Sequence, residues 1–372
     1  MIKTEARLLT ALFCVFLGGL LLWHIALPDR EKSEVENRTL AQTPTFSWET
    51  LKSGQFSTDA EKYITDQFPL RDNWTAIKAR CEQALGKKEF HGIYLCEDSL
   101  ISKVEEPEEK LVAQNLGFVN TFSDRVDAKV YMGMIPSAAE IYQELLPAGA
   151  PSFDQSGFIA TESETTGLEQ IDFYSTLMEH KDEAIFYRTD HHWTTLGAFY
   201  GANAVLKQLG VDPIKQNDFT PEIASNAFNG TLYSTSGIHW LRPDTIEYWV
   251  SEDGLSVTSW KSGAPKDSSL YDRSYLEKKD KYSSFLGGNQ PVCVIRNASI
   301  DNDRKIMLVR DSYSDSMAPF LAQRFKEVHL IDLRTFHNST TQYAAEEGID
   351  TVVIAFSIPN FIAERNMVFL PR

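Results

Sequence analysis

Residues 306–356 alternate short apolar runs with amphipathic ones, and that alternation constrains the fold more than any other feature of the chain. The runs at 306–309, 328–331 and 351–356 are too short for buried helices and are apolar throughout, as strands covered on both faces are. The intervening segments, near 316–325 and at 341–347, have helical spacing. Strand and helix in turn predict an α/β fold, a parallel sheet flanked by helices. Ligands of such sheets bind beyond the carboxyl ends of the strands. Ser312 follows the run 306–309, and Ser137 follows another at 130–135.

The 372 residues exceed one ordinary core, so a large α/β domain with additions, or two domains, is expected. Upstream, helices are predicted at 57–68, stopping at Pro69, at 73–85, stopping at Gly86, and at 108–122. A hairpin is predicted over 91–102, turning at Cys96-Glu97-Asp98. A short strand at 185–187 leads to a helix capped by Thr194 or Thr195. Residues 212–300 carry scattered glycines and read as a loop-rich insertion with antiparallel strands.

Residues 8–27 are almost wholly apolar, and roughly twenty such residues cross a bilayer. Lys3 and Arg7 precede them, which predicts a cytoplasmic N-terminus and an extracellular main domain. A cleaved signal peptide competes, but the run is long and Ile25-Ala26-Leu27-Pro28 is a poor cleavage site. The expected parse is a single-pass anchor at 1–28, a polar stalk at 29–56 and an outer domain at 57–372.

A formal charge of −16 argues against nucleic acid, whose phosphates need a basic surface, and suits neutral or partly acetylated glycans. Cys14 lies in the apolar run, and Cys81, Cys96 and Cys293 match no zinc or CxxC spacing; a Cys81–Cys96 disulfide is left open.

The chemistry concentrates in two segments. In Tyr187-Arg188-Thr189-Asp190-His191-His192-Trp193-Thr194, Asp190 and His192 are two apart and share one face of an extended segment. Such a carboxylate orients a histidine and stabilises its cation. In Arg310-Asp311-Ser312-Tyr313, a serine stands between strand and helix. With His192 as base, Ser312 becomes a nucleophile, and its own N–H or that of Tyr313 serves an oxyanion. The bland alternative is that Asp311-Ser312 only caps the helix. Ser314 and Ser316 are rival nucleophiles, deeper in that helix. A metal reading of Asp190, His191 and His192 is disfavoured, because adjacent histidines on an extended segment face opposite ways. No metal and no cofactor are expected. Gly288 lets backbone approach a ligand, and Asn289 is a candidate donor to an oxyanion or sugar hydroxyl.

The Asp190-His191-His192-Trp193 segment resembles the signature of the bacterial DHHW family. Glu36-Asn37-Arg38, Gly86-Lys87-Lys88-Glu89, Gly230-Thr231-Leu232-Tyr233-Ser234, Phe285-Leu286-Gly287-Gly288-Asn289 and Asp311-Ser312-Tyr313 resemble the same family. That family is similar to the SGNH-hydrolase-like O-acetyltransferases of alginate modification. The resemblance implies a permuted SGNH-like fold, with Asp190 as acid, His192 as base and Ser312 as nucleophile. It implies a polysaccharide substrate and a membrane-bound O-acyltransferase partner supplying acetyl groups. Arg310 stands where the SGNH pattern has glycine, and His191 where alginate relatives have threonine. A glycan-binding or assembly role without catalysis is the alternative.

Overall fold

A computed structural model describes residues 2–372 apart from Glu34, Asn37 and Ser262, so Asn37 of the Glu36-Asn37-Arg38 segment lies outside the described residues. The chain divides into two compact units, 1–87 with 237–239, and 88–236 with 240–372.

The first unit is helical: α1 (Ile2–Ala26), α2 (Gln55–Asp66) and α3 (Arg71–Ala84). Within α1, Thr4–Ala26 is long and apolar enough to cross a membrane, with a mean hydropathy of 2.2 over its most apolar 18 residues. The polar segment after α1, largely without regular structure, is hydrogen-bonded to α2 and α3. Arg38 donates to Asp66 at 2.8 Å, the Ala41 N–H donates to the same carboxylate at 2.8 Å, and Arg71 donates to Glu36 at 2.6 Å. The Arg38 hydrogen bond lowers the Asp66 carboxyl to about 2.

The second unit holds an eight-stranded sheet, numbered here β1 (Lys129–Ile135), β2 (Glu169–Gln170), β3 (Leu255–Ser259), β4 (Lys266–Ser268), β5 (Val292–Asn297), β6 (Lys305–Arg310), β7 (Glu327–Ile331) and β8 (Thr351–Ser357). Their order is β4-β3-β5-β7-β6-β8-β1-β2. From β7 through β6, β8 and β1 to β2 the pairs are parallel; β7 to β5, β5 to β3 and β3 to β4 are antiparallel. The sheet is therefore mixed rather than wholly parallel. Of the antiparallel strands expected in the insertion at 212–300, β3 and β5 extend the central sheet, because β5 pairs with the inner strand β7, whereas Asp244–Tyr248 pairs with Glu222–Phe228 in a two-stranded sheet of its own.

Successive residues on a strand face opposite sides, so each inner strand feeds two cores. Ile306 and Leu308 join one core and Met307 and Val309 the other. The first core is covered by α5 (Thr195–Gln208) and α6 (Tyr313–Leu321), the second by α4 (Glu109–Arg125) and α7 (Thr340–Glu347). Helix α6 begins directly after Ser312, three residues before the expected start near 316. The hairpin pairs Ile93–Cys96 with Ser99–Ser102. All four cysteines are free thiols.

One buried acid has no cation beside it. Glu162 is fully buried, accepts from Thr166 and Gln170, and is pushed by burial up to about 7 from 4.5. The folded state thus holds its proton more tightly than the unfolded chain. Its contribution is intact below pH 4.5 and is lost as pH rises towards 7. Glu162→Gln is expected to raise stability at pH 8 by about 1–3 kcal/mol and to change little at pH 4. Thermal melts at both pH values check this.

Candidate active site

The segment 188–192 is a bend, not an extended strand. Phe186 and Trp193 form an antiparallel bridge, and the Tyr187 N–H donates to the His192 carbonyl at 3.2 Å, so the chain doubles back between them. The bend brings the side chains together differently from a pleated strand. Asp190 Oδ1 accepts both the His192 backbone N–H at 3.0 Å and Nδ1 of the same residue at 2.6 Å. The rings of His191 and His192 lie 3.9 Å apart rather than on opposite faces.

Glycine 230 and Thr231 complete the carboxylate's shell. Asp190 Oδ2 accepts from the Thr231 N–H at 2.7 Å and from its hydroxyl at 3.0 Å. A Cβ at Gly230 would stand 2.3 Å from Asp190 Cβ, so only glycine admits this approach. Burial opposes ionisation of Asp190, but the charges of His191 and His192 and these hydrogen bonds outweigh it, holding the carboxyl far below its usual range. An ionised carboxylate only accepts, so Nδ1 of His192 carries the ring proton. Nε2 then accepts from the Ser312 hydroxyl, 2.7 Å away. An imidazole held in this way can take the proton of that hydroxyl.

Three aromatic residues lock the histidine loop to the turn at Ser312. Tyr282 stacks on His192 with centroids 3.8 Å apart, and its hydroxyl donates to the Ser312 carbonyl at 3.1 Å. Trp193 donates to the Tyr313 carbonyl and the Ser316 hydroxyl, both at 3.0 Å. Its ring lies against Gly201 of α5, where a Cβ would meet it at 2.6 Å. The Tyr313 hydroxyl closes the lock on the His191 carbonyl.

Ser312 does not use its side chain as a helix cap. Asp311 meets the helix start instead: its Oδ1 accepts the Tyr313 N–H at 3.0 Å, which engages that proposed oxyanion donor. The other oxygen accepts the Ser357 N–H at 2.8 Å, the Ser357 hydroxyl at 2.7 Å and the Asn360 amide at 2.7 Å. Asp311 therefore ties the turn to the end of β8. The rivals are elsewhere engaged or enclosed: Ser316 accepts from Trp193, and Ser314 is fully buried. Beneath the turn, Arg310 is fully buried and pairs with Asp315 at 3.0 Å.

A cleft of about 320 Å³ borders Asp190, His191 and Tyr313, and includes Ser137 and Asn360. Ser137 is tied to Gln155, whose amide donates to its hydroxyl at 2.9 Å. Gly288 and Asn289 do not line this cleft; Asn289 accepts from Arg310 at 3.2 Å. His191 Nδ1 meets the Thr231 hydroxyl at 2.7 Å, and burial beside His192 lowers its pKa to about 4. The ligand atoms of Asp190, His191 and His192 lie within 4.8 Å of one another, but a metal there would have to displace the Asp190–His192 hydrogen bond.

Tyr282, Gly230, Thr231 and Asn360 were not assigned to the site from sequence. Gly230-Thr231 had a signal, since its segment matched the family pattern; Tyr282 and Asn360 had none.

The DHHW protein family model matches residues 126–331, more than half of the chain and inclusive of Asp190, His192, Tyr282 and Ser312. The chain belongs to the DHHW family. Among curated relatives, the probable alginate O-acetylase AlgJ of Pseudomonas aeruginosa is 25% identical over 228 residues, covering 57% of this chain and 54% of that protein. AlgJ of Pseudomonas syringae pv. tomato is 24% identical over 211 residues, 52% of this chain and 54% of its own. The DHHW chain thus spans about half the length of the curated relatives it matches. Among solved structures, a DHHW family protein from Eubacterium siraeum has a TM-score of 0.65 at 23% identity, over 76% of this chain and 95% of that one. Bacillus cereus PatB1, solved with a sulfonyl adduct, has a TM-score of 0.63 at 20% identity, over 74% and 99%. The DHHW fold is shared with both.

Proposed function

We propose that this DHHW protein is a serine-dependent O-acetyltransferase that modifies a polysaccharide outside the membrane. The observation that carries the reading is the continuous hydrogen-bond chain from Asp190 through His192 to Ser312. The chain order Asp, His, Ser on a central mixed sheet supports a permuted SGNH-hydrolase-like fold. The AlgJ relatives support polysaccharide O-acetylation. The apolar helix α1 supports a single-pass anchor with the outer domain beyond it; a membrane-bound acyltransferase that supplies acetyl groups is what the family resemblance implies.

Ser312 Oγ attacks the acetyl carbonyl and gives its proton to His192 Nε2. The imidazolium, held by Asp190, returns that proton to the departing group, leaving acetyl-Ser312. A sugar hydroxyl then attacks the acetyl carbon, passes its proton to His192, and the proton returns to Ser312 Oγ as the ester bond to the enzyme breaks. The oxyanion is met by the Ser312 backbone N–H at the start of α6 and by the second N–H of the Asn360 amide. Hydrolysis would use water in place of the sugar.

A fluorophosphonate probe on the full-length protein tests the reading. Wild type is expected to add one probe, and Ser312→Ala and His192→Ala none within the same time, by intact mass. Equal labelling of wild type and Ser312→Ala would remove Ser312 from its role. Gly230→Ala, which displaces Asp190, is expected to slow labelling by about 100-fold with the fold retained by circular dichroism.

A further inference from the structure

The cleft that borders Asp190, His191 and Tyr313 contains hydroxyl, amide, imidazole and apolar groups but, among its described lining residues, no lysine or arginine. Ser102, Ser137 and Asn360 supply the neutral polar groups, and Leu232 and Pro359 an apolar wall suited to the C–H face of a sugar ring. Among the described lining residues the one acid is Asp190, whose charge is committed to His192 and Thr231. Cations near the loops that build the cleft are already matched. Lys103, next to Ser102, pairs with Glu105 at 2.7 Å. Arg188, two residues before Asp190, pairs with Asp244 at 3.2 Å and Asp98 at 3.3 Å. Lys279 is turned onto the Asn229 carbonyl at 2.7 Å and the Tyr233 ring.

A carboxylated sugar entering this cleft would be desolvated beside Asp190 with no cation to pair it, which costs several kcal/mol. The formal charge of −16 repels a polyanion before it arrives. A neutral sugar meets neither penalty. At about 320 Å³ the cleft is also at the small end of ligand sites, room for one sugar unit and a short acyl group.

Resting on the acetyltransferase reading, we propose that the acceptor is a neutral glycan and not a polyuronate such as the alginate in the names of the Pseudomonas relatives. The test uses the full-length protein in detergent with p-nitrophenyl acetate as donor. Acceptors are neutral gluco-, galacto- and manno-oligosaccharides against oligomannuronate of equal length, with acetylated product counted by mass spectrometry. At least one neutral series is expected to be acetylated about 100-fold faster than the uronate. Leu232→Lys, which puts a cation into the cleft, is expected to shift that ratio towards the uronate by about tenfold. Equal or faster acetylation of the uronate, or of neither class, overturns the acceptor proposal alone, provided p-nitrophenol release still depends on Ser312. Release that does not depend on Ser312 removes the acetyltransferase reading and the acceptor proposal with it.

Discussion

Asp190→Asn is expected to slow ester turnover by about 10³–10⁴-fold while the protein stays folded. The carboxylate accepts two hydrogen bonds from His192 and two from Thr231. An asparagine still satisfies Thr231 with its carbonyl oxygen. Its amide N–H₂ then faces His192 Nδ1, which forces the ring proton onto Nε2 and removes the base that Ser312 needs. The imidazolium formed during acylation also loses its counter-charge. Steady-state hydrolysis of p-nitrophenyl acetate, with circular dichroism as the check on folding, measures the effect. Turnover within tenfold of wild type would mean that Asp190 is structural.

Arg310→Met is expected to cost about 3–5 kcal/mol in a urea unfolding experiment, because it strands a buried carboxylate. Arg310 pairs with Asp315 at 3.0 Å, and both side chains are buried. Even with Arg310 present, burial lifts the Asp315 carboxyl to about 6 from 3.8. A raised carboxyl costs stability as pH climbs from the unfolded value through the folded one. The gap between Arg310→Met and wild type should therefore be smaller at pH 5 than at pH 8. Adding Asp315→Asn should recover most of the loss, since the stranded charge is then gone. Loss without that recovery would assign the effect to packing of the arginine stem instead. The pair also explains how this chain accommodates an arginine at the end of β6. The side chain turns inward to α6, one helical turn beyond Ser312.

Much of this architecture can be read from residues, for identifiable reasons. Strands β6, β7 and β8 are covered on both faces, so their apolar runs stand out against the helices between them. Asp190, His192 and Ser312 are legible because their residue types and local settings are chemically unusual. Asp190 and His192 nevertheless meet through a bend closed by Phe186 and Trp193, not through a pleated strand. Local periodicity does not encode such a reversal. The same limit hid the partners of β3 and β5, which look like insertion strands until long-range pairing puts them beside β7. Tyr282 and Asn360 sit in loop and helix-start positions without pattern, 90 and 168 residues from His192 by their numbers. Only the fold brings them to the site. Gly230 is the intermediate case, a glycine whose need becomes visible once Asp190 is seen against it.

The central claim is that Ser312 carries the acetyl group. Rapid quenching of the full-length protein with p-nitrophenyl acetate, followed by intact mass and peptide mapping, tests it most directly. The account predicts one added acetyl group on the peptide containing Ser312, released on addition of a glycan acceptor and missing from Ser312→Ala. An acetyl group mapped to another residue, or acetylation undiminished in Ser312→Ala, would contradict it.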